Sequence, residues 1–276
     1  MALLSINRLF ASTGDQIAER IAYKLGYKII SGGDLESKII SYGFPEDKIE
    51  LFNGKTPLFY KSLTKEYDLY FNYLKMAVLN YARNGNCIFI GKGAFKILEG
   101  VENHGALQIS TPLEKRVEKT SRERNINIHK AGILVLKKDA AQRKYYKRYF
   151  NCDITDSSNF DLTITAQERK TDMISDMLIA AINNFSTPEK EEKGRETLEK
   201  RITFQTMIHL LIAEYELPIS QFSIEEEGKQ LILRGITNSS AVADRAMELL
   251  KYYFPEYEVK SQIRAAQDYK AASSRG

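Results

Sequence analysis

The chain has 276 residues, a mass of 31.6 kDa, 43% hydrophobic and 28% charged residues, a balance that excludes wholesale disorder and a length that suits two domains. Forty Lys and Arg stand against 36 Asp and Glu, a net charge of +4, too mild by itself to indicate nucleic acid as a partner. No apolar run approaches the roughly 20 residues that span a bilayer, and two cysteines with three histidines are too few for a disulfide framework or a Cys/His zinc site.

Ala2 to Asn7 is a short apolar run followed by turn residues, the pattern of a buried strand. From Gly14 to Leu25, Ile17, Ala18, Ile21, Ala22 and Leu25 fall on one helical face. Leu63, Tyr67, Tyr70, Leu74, Val78 and Tyr81 are spaced for a second helix, which Asn84-Gly85-Asn86 ends. Strands are predicted at Cys87–Ile90, Ala106–Ile109 and Leu162–Thr165, with basic helices over Leu113–Arg124 and His129–Tyr149. A last helix runs over Thr171–Asn184. Strands alternating with helices predict a parallel sheet covered on both faces, with ligands beyond the carboxyl ends of its strands.

The charged run from Ser186 to Gly194 reads as a solvated linker. It divides the chain into an α/β domain (1–185), a linker (186–195), a small α+β domain (196–264) and a flexible tail (265–276). The second domain is predicted as a helix over Glu196–Tyr215, strands over Gln221–Glu226 and Gln230–Ile236, a helix over Ser240–Tyr253 and a strand over Tyr257–Ile263. The residues from Met1 to Arg8 lack the basic region and cleavage site of a secretory signal, so the expected location is the cytoplasm.

Three places carry the chemistry. The turn Arg8-Leu9-Phe10-Ala11-Ser12-Thr13-Gly14-Asp15-Gln16 joins a strand to a helix, where free N–H groups and the helix dipole attract an anion. Its plain alternative is a helix capped by Ser12 or Thr13. Gly91-Lys92-Gly93 lies just past a strand, either a ligand-facing turn or a tight turn with a surface lysine. The two basic helices carry Arg116, Lys119, Arg122, Arg124, Lys137, Lys138, Arg143, Lys144, Lys147 and Arg148, mostly a solvated face. Tyr145, Tyr146 and Tyr149 among these cations would also suit a nucleic acid, against which the mild net charge argues. His104, His129 and His209 have no partner at metal-ligand spacing, so no metal site is expected. Cys87 reads as a core residue and Cys152 as a loop residue with no base nearby.

The order of these segments resembles the cytidylate-kinase-like family of P-loop kinases over residues 1–184. Ile17-Ala18 and Leu25-Gly26-Tyr27 match the helix after that family's phosphate loop. Ile90-Gly91-Lys92-Gly93-Ala94 matches its second glycine motif, and Pro112-Leu113-Glu114-Lys115-Arg116-Val117 the start of its lid arm. Asp139, Arg143, Tyr145 and Tyr146, then Asn159-Phe160-Asp161-Leu162, match the end of that arm. The resemblance implies that Arg8, Ser12, Thr13, Gly14, Asp15 and Gln16 face donor phosphates. It implies that Ser31 and Lys92 face the acceptor, that Arg122 and Arg143 clamp the moving phosphoryl group, and that ATP and Mg²⁺ are used if the chain is active.

The chain departs from that pattern. Ala11 and Thr13 replace loop glycines, Gly14 stands at the Walker lysine position, Asp15 replaces an arginine and Gln16 a hydroxyl residue. Lys92 replaces an arginine and loses its bidentate fork, and Ser31 replaces an acidic residue. A carboxylate in the first helical turn satisfies the dipole that would draw phosphate and repels the anion. The favoured expectation is a nucleotide-binding protein with weakened or lost phosphoryl transfer, acting as a binding or assembly subunit. The alternative is an active kinase transferring the γ-phosphate of ATP to CMP or a related nucleotide. The element order after residue 196 and Leu231-Ile232-Leu233-Arg234-Gly235-Ile236-Thr237-Asn238-Ser239 resemble a BON module. That resemblance implies a protein partner or self-association through this part.

Overall fold

The computed structural model describes residues 2–52, 64–167 and 170–265; Leu63 and the tail beyond residue 265 lie outside them. The chain divides into two compact units, Met1–Pro57 with Ala77–Glu199, and Leu58–Met76 with Lys200–Gly276.

The first unit is built on five parallel strands, β1 (Leu3–Arg8), β2 (Lys28–Ile30), β3 (Cys87–Ile90), β4 (His104–Ser110) and β5 (Leu162–Thr165), in the order β2-β3-β1-β4-β5. β1 lies at the centre and its Leu3, Leu4 and Ile6 are fully buried, as expected of a strand covered on both faces. Helix α1 (Gly14–Leu25) lays Ile17, Ala18 and Ile21 on one side of the sheet, beside α7 (Thr171–Phe185) with Ile174, Leu178 and Ile182. Gly26, left-handed at φ 66°, ends α1 by donating its N–H to the Ala22 carbonyl. A separate cluster joins Phe95 of α4 (Ala94–Ile97) to Ala106, Cys152 and Tyr146, the last on α6 (Ile128–Phe150). Helix α5 (Leu113–Arg124) precedes α6, and together they form the basic arm. The strand order switches sides at β1, with β3 on one side and β4 on the other, so the crevice for a ligand opens after Arg8.

Two features differ from the sequence reading. β2, α2 (Gly32–Ser41) and the single-turn α4 were not expected; β2 is a three-residue edge strand and α4 has four residues, both too short for a periodic signal. The predicted linker is helical from Pro188, because α8 runs continuously over Pro188–His209. Pro188 opens the helix, Glu189 and Glu191 complement its positive end, and Glu189 pairs with Lys193 one turn on at 2.7 Å. The charge run is therefore a solvated helix surface.

The second unit takes the first part of α3 (Thr64–Ala82), the end of α8 and a π-helical turn at Leu210–Glu214. These join β6 (Ser220–Glu227), β7 (Gln230–Thr237), α9 (Ser240–Tyr253) and β8 (Glu258–Ala265). β6 is antiparallel to β7, and β8 is parallel to it. Leu211, Phe222, Leu231, Leu233, Ala246 and Leu250 fill its core.

Candidate functional site

The turn after β1 holds its own backbone donors. Ser12 N–H donates to the Leu9 carbonyl at 3.1 Å. Thr13 N–H donates to Thr111 Oγ1 at 3.3 Å, and Gly14 N–H to Ser12 Oγ at 3.3 Å. Ala11 is left-handed at φ 59°, so the loop keeps a glycine-type conformation without glycine, at about 1–2 kcal/mol. Thr13, at the N-cap of α1, makes no side-chain cap bond; its hydroxyl lies 3.5 Å from that of Thr111. Of the two expected caps, Thr13 makes none, while Ser12 Oγ accepts from the N–H two residues on, as a capping serine does.

Gly14 is required by packing: a Cβ there would stand 2.5 Å from Arg8 Cβ. The Arg8 stem thus closes over the start of α1, and its Nε meets Asp15 Oδ1 at 2.7 Å. Asp15 occupies the first turn of α1 and takes up both the guanidinium and the helix dipole. Gln16 is exposed.

Behind the loop is a buried polar network. Asn7 Nδ2 donates to Gln108 Oε1 at 2.7 Å, and Tyr146 OH donates to Asn7 Oδ1 at 2.8 Å. Gln142 donates to the Arg8 carbonyl at 3.0 Å. Burial pushes the Tyr146 hydroxyl well above the usual tyrosine range, so it remains a donor. Gln142, not Arg143, is the α6 residue turned toward the loop. Arg143 is exposed, and with Lys147 it adds to the hydrogen bonds from Thr155 that hold the Asp153 carboxyl below its ordinary range. One residue of helix is a turn of about 100°, which separates the two.

Arg116 ties the arm to the loop. Its side chain is 5% exposed; Nη1 lies 2.9 Å from each Asp139 carboxylate oxygen and 3.2 Å from the Phe10 carbonyl. Its Nε donates to the Thr111 carbonyl at 2.9 Å. Beside this pair a cleft of about 370 Å³ opens between the loop (Ala11, Thr13), Thr111, Gln167 and the α5 cations Lys119 and Arg122. Lys119 Nζ reaches the Ser12 carbonyl at 3.4 Å, while Lys115, also lining the cleft, pairs with Glu118 at 2.8 Å.

The opposite end of the crevice brings Ser31 and Lys92 together. A Cβ on Gly32, next to Ser31, would stand 3.2 Å from Lys92 Cε. Lys92 Nζ pairs with Glu36 Oε1 at 2.7 Å, with side chains only 16% and 25% exposed. Gly93, at φ 77°, lies so close to Phe150 that a Cβ would fall 1.9 Å from the ring. Ser31 caps α2: its hydroxyl accepts from Asp34 N–H at 3.2 Å, and its own N–H donates to Asp34 Oδ2 at 2.8 Å. Those bonds from Ser31 hold the Asp34 carboxyl below its ordinary range. Glu36 and Gln142 are the neighbours the sequence reading missed. Ser31-x-x-Asp34 is a legible capping box that would have placed Glu36 on the first turns of a helix.

Among the described residues no group of three or more His, Cys, Asp or Glu is placed to hold a metal ion. His104 Nε2 lies 2.8 Å from Ser5 Oγ in the core, and His209 stacks near Tyr73. Burial pushes the Cys87 thiol up to about 12 and raises that of Cys152, which removes both as nucleophiles at neutral pH. The loop does not fit a magnesium–triphosphate group as folded. Three of its N–H donors are taken, Gln16 offers no hydroxyl and Asp15 is tied to Arg8.

The sequence model of the cytidylate kinase-like family matches residues 3–168. A cytidylate kinase from Methanocaldococcus jannaschii is 29% identical over 106 residues, which are 38% of this chain and 60% of that protein. The chain thus spans about three-fifths of that relative's length. A cytidylate kinase from Natronomonas pharaonis is 22% identical over 189 residues, 68% of this chain and 93% of that protein. The crystal structure of an uncharacterized protein from Eubacterium ventriosum is 18% identical, covers 66% of this chain and 98% of its own, and superposes with a TM-score of 0.52, a likeness of fold.

Proposed function

This chain belongs to the cytidylate kinase-like family, and from that premise we propose that it binds a nucleotide while its phosphoryl transfer is weakened or lost. One observation carries the reading: the N–H groups of Ser12, Thr13 and Gly14 bond within the protein while Arg8 is held by Asp15. Phosphoryl transfer rests on preorganised donors and cations aimed at the equatorial oxygens. Here the donors are turned inward and the nearest cation is neutralised. The cleft beside Lys119 and Arg122 remains as the nucleotide pocket. Arg143, on the outer flank of α6, is left out of the clamp.

At the acceptor end the Lys92–Glu36 pair carries no net charge, which weakens attraction for a monophosphate. A buried network behind the loop still fixes α6 against β1, so the pocket retains its shape without its catalytic electrostatics. The second unit supplies a contact with a protein partner or a second copy of the chain. Its three-stranded sheet leaves β6 and β8 as edge strands, the elements that pair with other chains. The expected location is the cytoplasm.

The test is calorimetry with a panel of nucleoside mono-, di- and triphosphates, with and without Mg²⁺, beside an ADP-release assay with ATP plus CMP, UMP or dCMP. Measurable binding with negligible turnover supports the proposal. Turnover of about 1 per second or faster, the normal kinase range, overturns it in favour of an active nucleoside monophosphate kinase. Light scattering that finds only monomer, with no partner bound, would remove the assembly role.

A further inference from the structure

The charge of the chain is segregated. Residues 113–150 carry twelve Lys and Arg against four Asp and Glu, while the remainder carries 28 against 32. Most of this excess lies on α6, a helix roughly 35 Å long, and little of it is used by the site.

The inward side of α6 is pinned by Asp139 to Arg116 and by Tyr146 to Asn7. Its outward side is therefore presented on a fixed rod. Steps of about 100° per residue put Lys130, Ile133, Lys137 and Lys144 on that side, with Leu136 and Lys147 flanking them, and all six are exposed. No carboxylate lies there, because Asp139 is the only acidic residue of the helix and is buried. Lys130, Lys137 and Lys144 make no ion pair among the described residues.

The aliphatic side chains decide the partner. Ile133 is 55% exposed and Leu136 54%, interleaved with the lysines. A nucleic acid backbone would satisfy the cations and leave these two in water. An anionic bilayer satisfies both: the aliphatic groups enter the headgroup boundary while the lysine stems reach up to lipid phosphates. We propose that the outer face of α6 is a docking surface for an anionic lipid bilayer, lying along it with Ile133 and Leu136 inserted. This surface is separate from the nucleotide crevice, and the proposal stands whether or not the crevice is catalytic.

The test uses the full chain and sedimentation with phosphatidylcholine vesicles with and without phosphatidylserine. Binding is expected only with phosphatidylserine, weakening as salt rises. The charge pair Lys137→Glu with Lys144→Glu should lower affinity at least 25-fold, at roughly fivefold per cation lost. Ile133→Gln with Leu136→Gln should lower it roughly tenfold and leave the salt dependence unchanged. All four side chains are exposed, and circular dichroism checks that the variants fold. Three results would overturn the proposal: no sedimentation with anionic vesicles, vesicle binding that ignores both double variants, or tight capture of a duplex RNA probe by a chain that ignores the vesicles.

Discussion

Asp15→Asn isolates the charge at the phosphate loop, since the side chain keeps its shape. In the native chain the carboxylate pairs with Arg8 at 2.7 Å, the two side chains being 30% and 60% exposed. Solvent screening limits such a pair to about 0.2–1 kcal/mol, and its favourable place at the positive end of α1 adds about 0.3–1 kcal/mol. The variant should therefore lose about 0.5–2 kcal/mol of stability and stay folded. For an incoming phosphate the sign reverses. A unit charge about 6 Å away repels another by about 3 kcal/mol at an effective dielectric near 20; exposure and salt reduce this to about 1–2 kcal/mol. Affinity for ADP or tripolyphosphate, measured by calorimetry without Mg²⁺, should rise about 5- to 30-fold. Adding Arg8→Ala should cancel only part of the gain, the share that the freed guanidinium supplies. Turnover should remain negligible, as the inward N–H groups of Ser12, Thr13 and Gly14 are untouched. Unchanged affinity in a folded variant would refute the charge argument and assign the obstacle to the shape of the loop.

Asp139→Ala leaves the Arg116 guanidinium buried without its carboxylate and should cost about 3–5 kcal/mol in urea unfolding; a loss under about 1 kcal/mol would show that the pair is dispensable. Glu36→Gln releases Lys92 and should tighten CMP binding roughly 10- to 150-fold, the about 1.5–3 kcal/mol of one charge-assisted hydrogen bond; weaker binding would place Glu36 itself on the ligand. Burial pushes the Cys87 thiol up to about 12, well above its ordinary value, so the folded state holds its proton longer than the unfolded one. The contribution of Cys87 is then fully present below about pH 9 and is lost as pH rises toward 12, at about 1.4 kcal/mol per unit. Cys87→Ala should flatten the alkaline limb of stability against pH, and parallel curves for the two proteins would refute this.

Much of the first unit was legible because β1, β3 and β4 are buried along nearly their whole length and read as largely apolar runs. The limits of α1, α5 and α9 coincide with their sequence readings, each fixed by a cap or a clear apolar stripe. At the loop, the position read as a lost glycine, Ala11, is left-handed, and Asp15 stands where the register placed it. What residue types could not show is where the donors point: the pairing of Thr13 N–H with Thr111 joins segments 98 residues apart. Arg143 illustrates a legible phase that motif matching overrode. Val135, Asp139, Gln142, Tyr146 and Tyr149 form an i, i+4, i+7, i+11, i+14 stripe, which is the inward side of α6, and Arg143 falls off it.

The place where the chain divides carries the last prediction. A boundary in the charged run from Ser186 to Gly194 would let a deletion after Pro188 leave a complete first domain. The structure puts that run inside α8, and the second unit includes Leu58–Met76 from far upstream. Within that unit Asn72 accepts from Gln205 at 3.3 Å, and the Tyr73 ring lies 5.3 Å from that of His209. The Asp68 carboxyl, raised by burial, accepts hydrogen bonds from Ser220 and from the Gln221 backbone. Removing everything after Pro188 strips these partners from the first part of α3 and exposes Asn72 and Tyr73, both 5% exposed in the intact chain. Losing the cover of one such aromatic costs about 3 kcal/mol, a large share of the stability of a small domain. The truncated chain should bind a hydrophobic dye and self-associate in light scattering while the full chain does not. A truncated protein that is monomeric, dye-silent and as stable to urea as the intact chain would show that the first unit needs nothing from the residues removed.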